Sequence, residues 1–131
     1  MDLLLDTHAF IRFVSGNTQI PVATRQLIQH TPGKVYVSIA SLWEMAIKSK
    51  LGNLTLHREF SEIILDIAAA DMELLPISFR HTLALLELPF PSKNHRDPFD
   101  RMLIAQEAQT DNLILISKDR HFAEYAVALR W

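Results

Sequence analysis

The chain has 131 residues, with 13 Lys and Arg against 15 Asp and Glu, six His and no Cys. One domain's length is enough to bury roughly two thirds of the unfolded surface. The missing Cys exclude a disulfide framework, a thiolate zinc site and a Cys nucleophile, and fit a reducing compartment. A 49% hydrophobic content with three Gly and six Pro excludes disorder, and a net charge of −2 speaks against nucleic-acid binding through bulk positive charge.

Met1 to Asp6 holds three Leu between two acids, too short and too acidic for a signal peptide. No stretch approaches the roughly 18 apolar residues of a membrane span. A cytoplasmic protein with a single domain over 1–131 is expected.

Leu3-Leu4-Leu5 opens the chain as a short apolar run without alternation, as in a strand buried on both faces of a parallel sheet. Val22 to His30 reads as a helix behind Pro21. Val35-Tyr36-Val37 is a second strand. Ser38 then caps a helix whose apolar stripe is Ile39, Leu42, Trp43, Ala46 and Ile47. Phe60, Ile63, Ile64, Ile67 and Ala68 form another stripe, and core packing is expected for both. Leu74 to Ile77 is a third strand, and Thr82 to Leu88 a short helix ending before Pro89. A helix starting near Pro98 carries Met102, Ala105 and Ala108. Leu113 to Ile116 is a fourth strand, and Val127 to Leu129 a last short one. Strands alternating with helices predict an α/β fold with a mostly parallel central sheet flanked by helices.

Asp6 directly follows the first strand, and Asp119 lies shortly beyond the fourth. Residues just past the carboxyl ends of strands in an open α/β sheet line its ligand crevice, although an Asp there also serves as a helix cap. Glu44 falls at the flank of the Trp43 stripe, and with Ser41 it has capping-box spacing as an alternative role. Asp97 before Pro98 reads as an N-cap. Asp100 sits in the first turn, where the helix dipole favours a carboxylate and one cap already suffices.

Four carboxylates converging from separate segments would repel one another without a cation. Mg²⁺ or Mn²⁺, hard ions with oxygen ligands, answer that repulsion and serve phosphodiester chemistry. Such an ion lowers the pKa of a water, orients it and stabilises charge on the phosphate oxygens. No Gly-rich phosphate loop and no H-x-x-x-H zinc pair is present. His8 and His95, beside Asp6 and Asp97, are the two histidines near these acids; the other four read as surface or packing residues.

LLLDTHAFIRF, VYVSIASLWEMAIKSKLGNL, HRDPFDRMLIAQEAQ and LILISKDRHFAEY, in that order and spacing, resemble the four blocks of the PIN-domain ribonucleases, and within them the VapC-like toxins of toxin–antitoxin pairs. The resemblance covers nearly the whole chain. It implies a three-layer PIN-like fold and Mg²⁺- or Mn²⁺-dependent RNA cleavage by metal-activated water. It also implies a homodimer and a cognate antitoxin. Asp6, Glu44, Asp100 and Asp119 fall at the catalytic, metal-binding positions, with Asp97, Thr7 and Ser117 as supporting residues. Arg12, Lys48, Lys50, Arg96, Arg101, Lys118 and Arg120 flank the blocks as candidates for gripping the RNA backbone, or as ordinary solvated charges. With the four acids assigned to a metal, the remaining charges have a small basic excess.

Three alternatives stay open. An aspartate-based phosphatase with Asp6 as nucleophile usually carries a second Asp two residues on, where this chain has His8. A non-catalytic PIN-like binding module should have lost acids that this chain keeps. A housekeeping PIN nuclease differs from a toxin by lacking an antitoxin, which a neighbouring gene would reveal.

Overall fold

The computed structural model describes residues 1–91 and 97–131. Five strands form one parallel sheet: β1 (Asp2–Leu5), β2 (Val35–Ser38), β3 (Glu73–Leu75), β4 (Leu113–Ile116) and β5 (Leu129–Arg130), in the order β3-β2-β1-β4-β5. Every pairing is parallel, with Leu3 opposite both Val35 and Ile114. The described helices are α1 (Thr7–Val14), α2 (Val22–His30), α3 (Ile39–Lys50), α4 (Ile63–Ala69), α5 (Phe79–Glu87) and α6 (Pro98–Ala108). Short 3-10 helices at Phe60–Glu62 and Arg120–Glu124 complete the set. None of these helices is long and apolar enough to cross a membrane.

Alternation along β1 explains the layers. Leu3 and Leu5 face one side, with Val35, Val37 and Ile116, and pack against Ala9 and Phe10 of α1, Ile28 of α2, and Ile63 and Ile67 of α4. Leu4 faces the other side and meets Leu115, Phe122, and Leu103 and Ile104 of α6. All three leucines are fully buried, each worth about 1.5–3 kcal/mol relative to exposure. A third cluster, Ala40, Met102 and Ala105, joins α3 to α6, with Ala84 and Leu85 of α5 against it.

The backbone comes close at Gly33, where a Cβ would stand 1.9 Å from the Met1 carbonyl oxygen and 2.6 Å from Asp2 Oδ1. Asp2 Oδ1 accepts from Lys34 N at 2.9 Å, so this glycine lets the start of β2 lie against β1.

Several boundaries differ from the sequence expectation for local reasons. β3 ends at Leu75, because Pro76 has no N–H for the ladder. α5 begins at Phe79, earlier than expected. Ser78 Oγ accepts from His81 N, and His81 Nδ1 accepts from Ser78 N, a capping box built with His in place of Glu or Gln. Burial, aided by Arg80, pushes the His81 pKa down, which favours the neutral ring that this acceptor role needs.

The larger correction concerns the two apolar stripes. α3 buries Ala40, Ser41, Glu44 and Met45, whereas Ile39, Trp43 and Ile47 are exposed, Trp43 by 58%. In the second stripe Ile63 and Ile67 are buried, but Phe60 and Ile64 are exposed. In α3 the inward face carries the polar atoms of the site, and of the expected stripe Leu42 packs against the core from its edge while Ile39, Trp43 and Ile47 do not.

Candidate active site

The strand order reverses at β1: the chain runs to β2 and β3 on one side and returns to β4 and β5 on the other. Strands β1 and β4 are neighbours, and the crevice outside their carboxyl ends is the usual ligand site of such a sheet. Asp6 leaves β1 there, and Ser117 and Asp119 leave β4.

Asp6 caps α1 and belongs to the site at once. Its Oδ1 accepts from Ala9 N at 2.7 Å, and its Oδ2 from the Ser117 hydroxyl at 2.5 Å. Burial pushes its carboxyl up; the Ser117 and Ala9 bonds, and then His8, pull the other way. Ser117 Oγ also accepts from Asp119 N at 2.9 Å, so one buried hydroxyl ties the end of β1 to the loop after β4. Asp119 Oδ1 accepts from His121 N at 2.9 Å and lies 2.9 Å from His121 Nδ1.

Glu44 is only 4% exposed. Thr7 Oγ1 donates to its Oε1 at 2.6 Å, and Lys48 Nζ to its Oε2 at 2.5 Å. The capping-box alternative is excluded, since Ser38 Oγ accepts from Ala40 N and caps α3. Asp97 caps α6 by accepting from Phe99 N and Asp100 N, both at 2.9 Å.

Asp100 shows that these acids share one region. Its pKa is pushed up to about 8, first by burial and then by the charges of Asp97, Glu44, Asp6 and Asp119. Four segments therefore deliver negative charge to one place. Among the described residues no three acids or histidines stand close enough together to hold an ion in the conformation present. The hydrogen bonds explain the spacing, because the Asp6 and Glu44 carboxylates are drawn onto Ser117, Ala9, Thr7 and Lys48. The donors are carboxylate and hydroxyl oxygens, hard atoms that suit Mg²⁺ or Mn²⁺. Burial comes first in raising the Asp100 pKa, and the negative charges that add to it are what a divalent cation would neutralise, so these residues fit such an ion.

Beside the acids lies a cleft of about 630 Å³, lined by Asp6, His8, Arg12, Lys118, Asp119, Arg120, His121 and Glu124. Three of the basic residues expected to flank the site therefore share its wall, and His8 lies near Asp6 as its position suggested. Lys48 faces the acids themselves, and Lys50 is exposed. Arg96 and His95 lie outside the described residues. Arg101 departs from expectation: it is 7% exposed, and its guanidinium donates to Leu88 O, Pro89 O and Tyr125 Oη and stacks on Phe90. It braces the segment after α5 and does not line the cleft.

Sequence reasoning passed over His121 and Glu124. The two-residue step from Asp119 to His121 is the signal available for the first, since an Asx turn brings such a ring back to its carboxylate.

No curated protein sequence matches the chain. Among solved structures it is similar to the crystal structure of VapBC2 from Rickettsia felis bound to a DNA fragment from their promoter. The identity is 16%, the TM-score 0.69, and the match covers 99% of this chain and 98% of that one, a likeness of fold. A family model described as PIN domain matches residues 3–128, and the chain belongs to the PIN-domain family.

Proposed function

We propose that the chain is a single-domain, metal-dependent ribonuclease, acting in the cytoplasm as the toxin of a toxin–antitoxin pair. The observation that carries this reading is the convergence of Asp6, Glu44, Asp97 and Asp119 on Asp100. Asp6, Asp100 and Asp119 would hold Mg²⁺ or Mn²⁺, with Glu44 completing the acidic field beside them. When bound, the ion supplies Lewis-acid stabilisation of phosphate charge and a nucleophilic water at neutral pH.

The chain's own residues do the remaining work. Ser117 and Thr7 orient the Asp6 and Glu44 carboxylates through 2.5 Å and 2.6 Å hydrogen bonds. Asp97 holds the first turn of α6, and so places Asp100 on a helix start. Arg12, Lys118 and Arg120 on the cleft wall supply positive charge along the path of a phosphate backbone. Asp6 as a phosphatase nucleophile is disfavoured, because both of its oxygens are already engaged by donors.

RNA incubated with the protein and Mn²⁺ should be cut, and chelator should stop the cutting. Undiminished cleavage in chelator would remove the metal from the mechanism. A toxin should also arrest growth when expressed, with relief from the product of a neighbouring gene. Growth arrest without such a gene would favour a housekeeping nuclease.

A homodimer is proposed on the exposed apolar residues of α3 and α5, which both pack on α6: Ile39, Trp43 and Ile47, then Phe79, Leu83 and Leu86. Phe79 is 76% and Leu86 83% exposed, more than isolated surface residues need. Wild type should sediment as a dimer and Leu86→Asp as a monomer. A wild-type monomer at all concentrations would reject this interface.

A further inference from the structure

The Glu44 side of the acidic cluster already contains a cation. Lys48 Nζ stands 2.5 Å from Glu44 Oε2, one helical turn along α3. The other Glu44 oxygen accepts from Thr7 at 2.6 Å, and the carboxylate is almost wholly buried. The carboxylates of Asp97 and Asp100 act on the same ammonium. Lys48 thus reaches into the field of the site and does not merely flank it.

Two-metal phosphodiester sites hold their ions about 3.5–4 Å apart, with carboxylates serving both. Here a second ion at Glu44 would have to displace an ammonium tethered by the helix, or lie against it and be repelled. We propose that Lys48 takes the place of a second metal ion, so that the site binds one divalent cation, on the side of Asp6, Asp100 and Asp119. This inference rests on the metal-dependent nuclease reading and specifies its stoichiometry. The ammonium is a compact point charge. It offsets negative charge at Glu44 whether or not the divalent ion is bound, and leaves Glu44 as an anchor for Lys48.

Manganese titration of the metal-free chain, followed by calorimetry and by electron paramagnetic resonance, tests the idea. Wild type should bind one Mn²⁺ per chain, with no spectrum of a coupled manganese pair. Lys48→Met frees Glu44 and should bind two, with the coupled-pair spectrum. Its Mn²⁺ requirement for RNA cleavage should rise by roughly 10–100-fold, the usual cost of losing a supporting group, with activity recovering at high Mn²⁺. Lys48→Arg keeps a charge and should bind one ion. Thermal melts verify that both variants fold.

Two ions bound by the wild type would overturn the proposal, and this result needs no variant. So would a Lys48→Met protein that binds one ion with an unaltered Mn²⁺ requirement. Failure of the underlying nuclease reading looks different: the wild type then binds no Mn²⁺ and cuts no RNA.

Discussion

Asp100→Asn is expected to abolish Mn²⁺-dependent RNA cleavage and, in the same protein, to stabilise the metal-free fold at neutral pH. The loss of cleavage should exceed the roughly 10–100-fold cost of removing a residue that only supports a ligand. The gain in stability follows from linkage. The Asp100 pKa is about 8 in the folded chain against an ordinary 3.8. Between those values the folded chain keeps a proton that the unfolded chain has released. Stability therefore falls as pH rises across that window, by at most about 1.4 kcal/mol per unit, and levels off above it. Below the ordinary value the contribution is fully present. Asn does not titrate, so the mutant's melting temperature should be flatter in pH and higher than wild type near neutrality.

Mg²⁺ or Mn²⁺ should reverse the wild-type trend. The ion binds the ionised carboxylate, so its affinity rises with pH up to about 8 and binding releases a proton. Metal should raise the wild-type melting temperature more than the mutant's. Melting curves measured from pH 4 to pH 9, with and without metal, check every part of this. Parallel pH profiles for the two proteins would mean that the acids do not act on Asp100 as one site.

Arg101→Ala should have the largest effect on stability of any basic residue in the chain. Its Nη1 donates to Pro89 O at 2.8 Å and to Tyr125 Oη at 3.2 Å, and its Nη2 to Leu88 O at 2.9 Å. The guanidinium carbon lies 3.8 Å from the centre of the Phe90 ring. Truncation removes three charge-assisted bonds and leaves two carbonyl oxygens to find new partners, a cost of about 3–5 kcal/mol. Lys cannot reproduce a planar fork with five donors, so Arg101→Lys should recover little. Denaturant midpoints measure the loss. The salt dependence of RNA binding by the folded fraction should be unchanged, because this side chain does not line the cleft. A shallower salt slope at unaltered stability would return Arg101 to the RNA.

Arg101 and α3 show why part of the site could not be read along the chain. A basic residue beside a catalytic acid looks like a substrate contact, but burial depends on what folds over it. Here Leu88 to Phe90 and Tyr125 come from elsewhere in the chain. The Ile39, Trp43 and Ile47 stripe has the correct helical period, yet it faces outward. Period gives a helix its faces, and only the neighbouring layers decide which one is inside.

The chain itself determined the strands, because short apolar runs closed by Asp, Ser or Pro have few other stable arrangements. It also determined the helix starts, since Asp6, Ser38 and Asp97 each cap through their own side chain within three residues. Of the four candidate acids, Asp6 and Asp119 were legible from their place after strands, Asp100 from a helical first turn, and Glu44 from the flank of the α3 stripe. Tertiary structure alone decided that they share a field, because Asp6 and Ser117 are 111 residues apart yet joined by one hydrogen bond. It also decided that Lys48 sits among the acids and that Arg101 is a brace. Charge and burial act through space, so the pKa of Asp100 depends on side chains that sequence separation does not place near it.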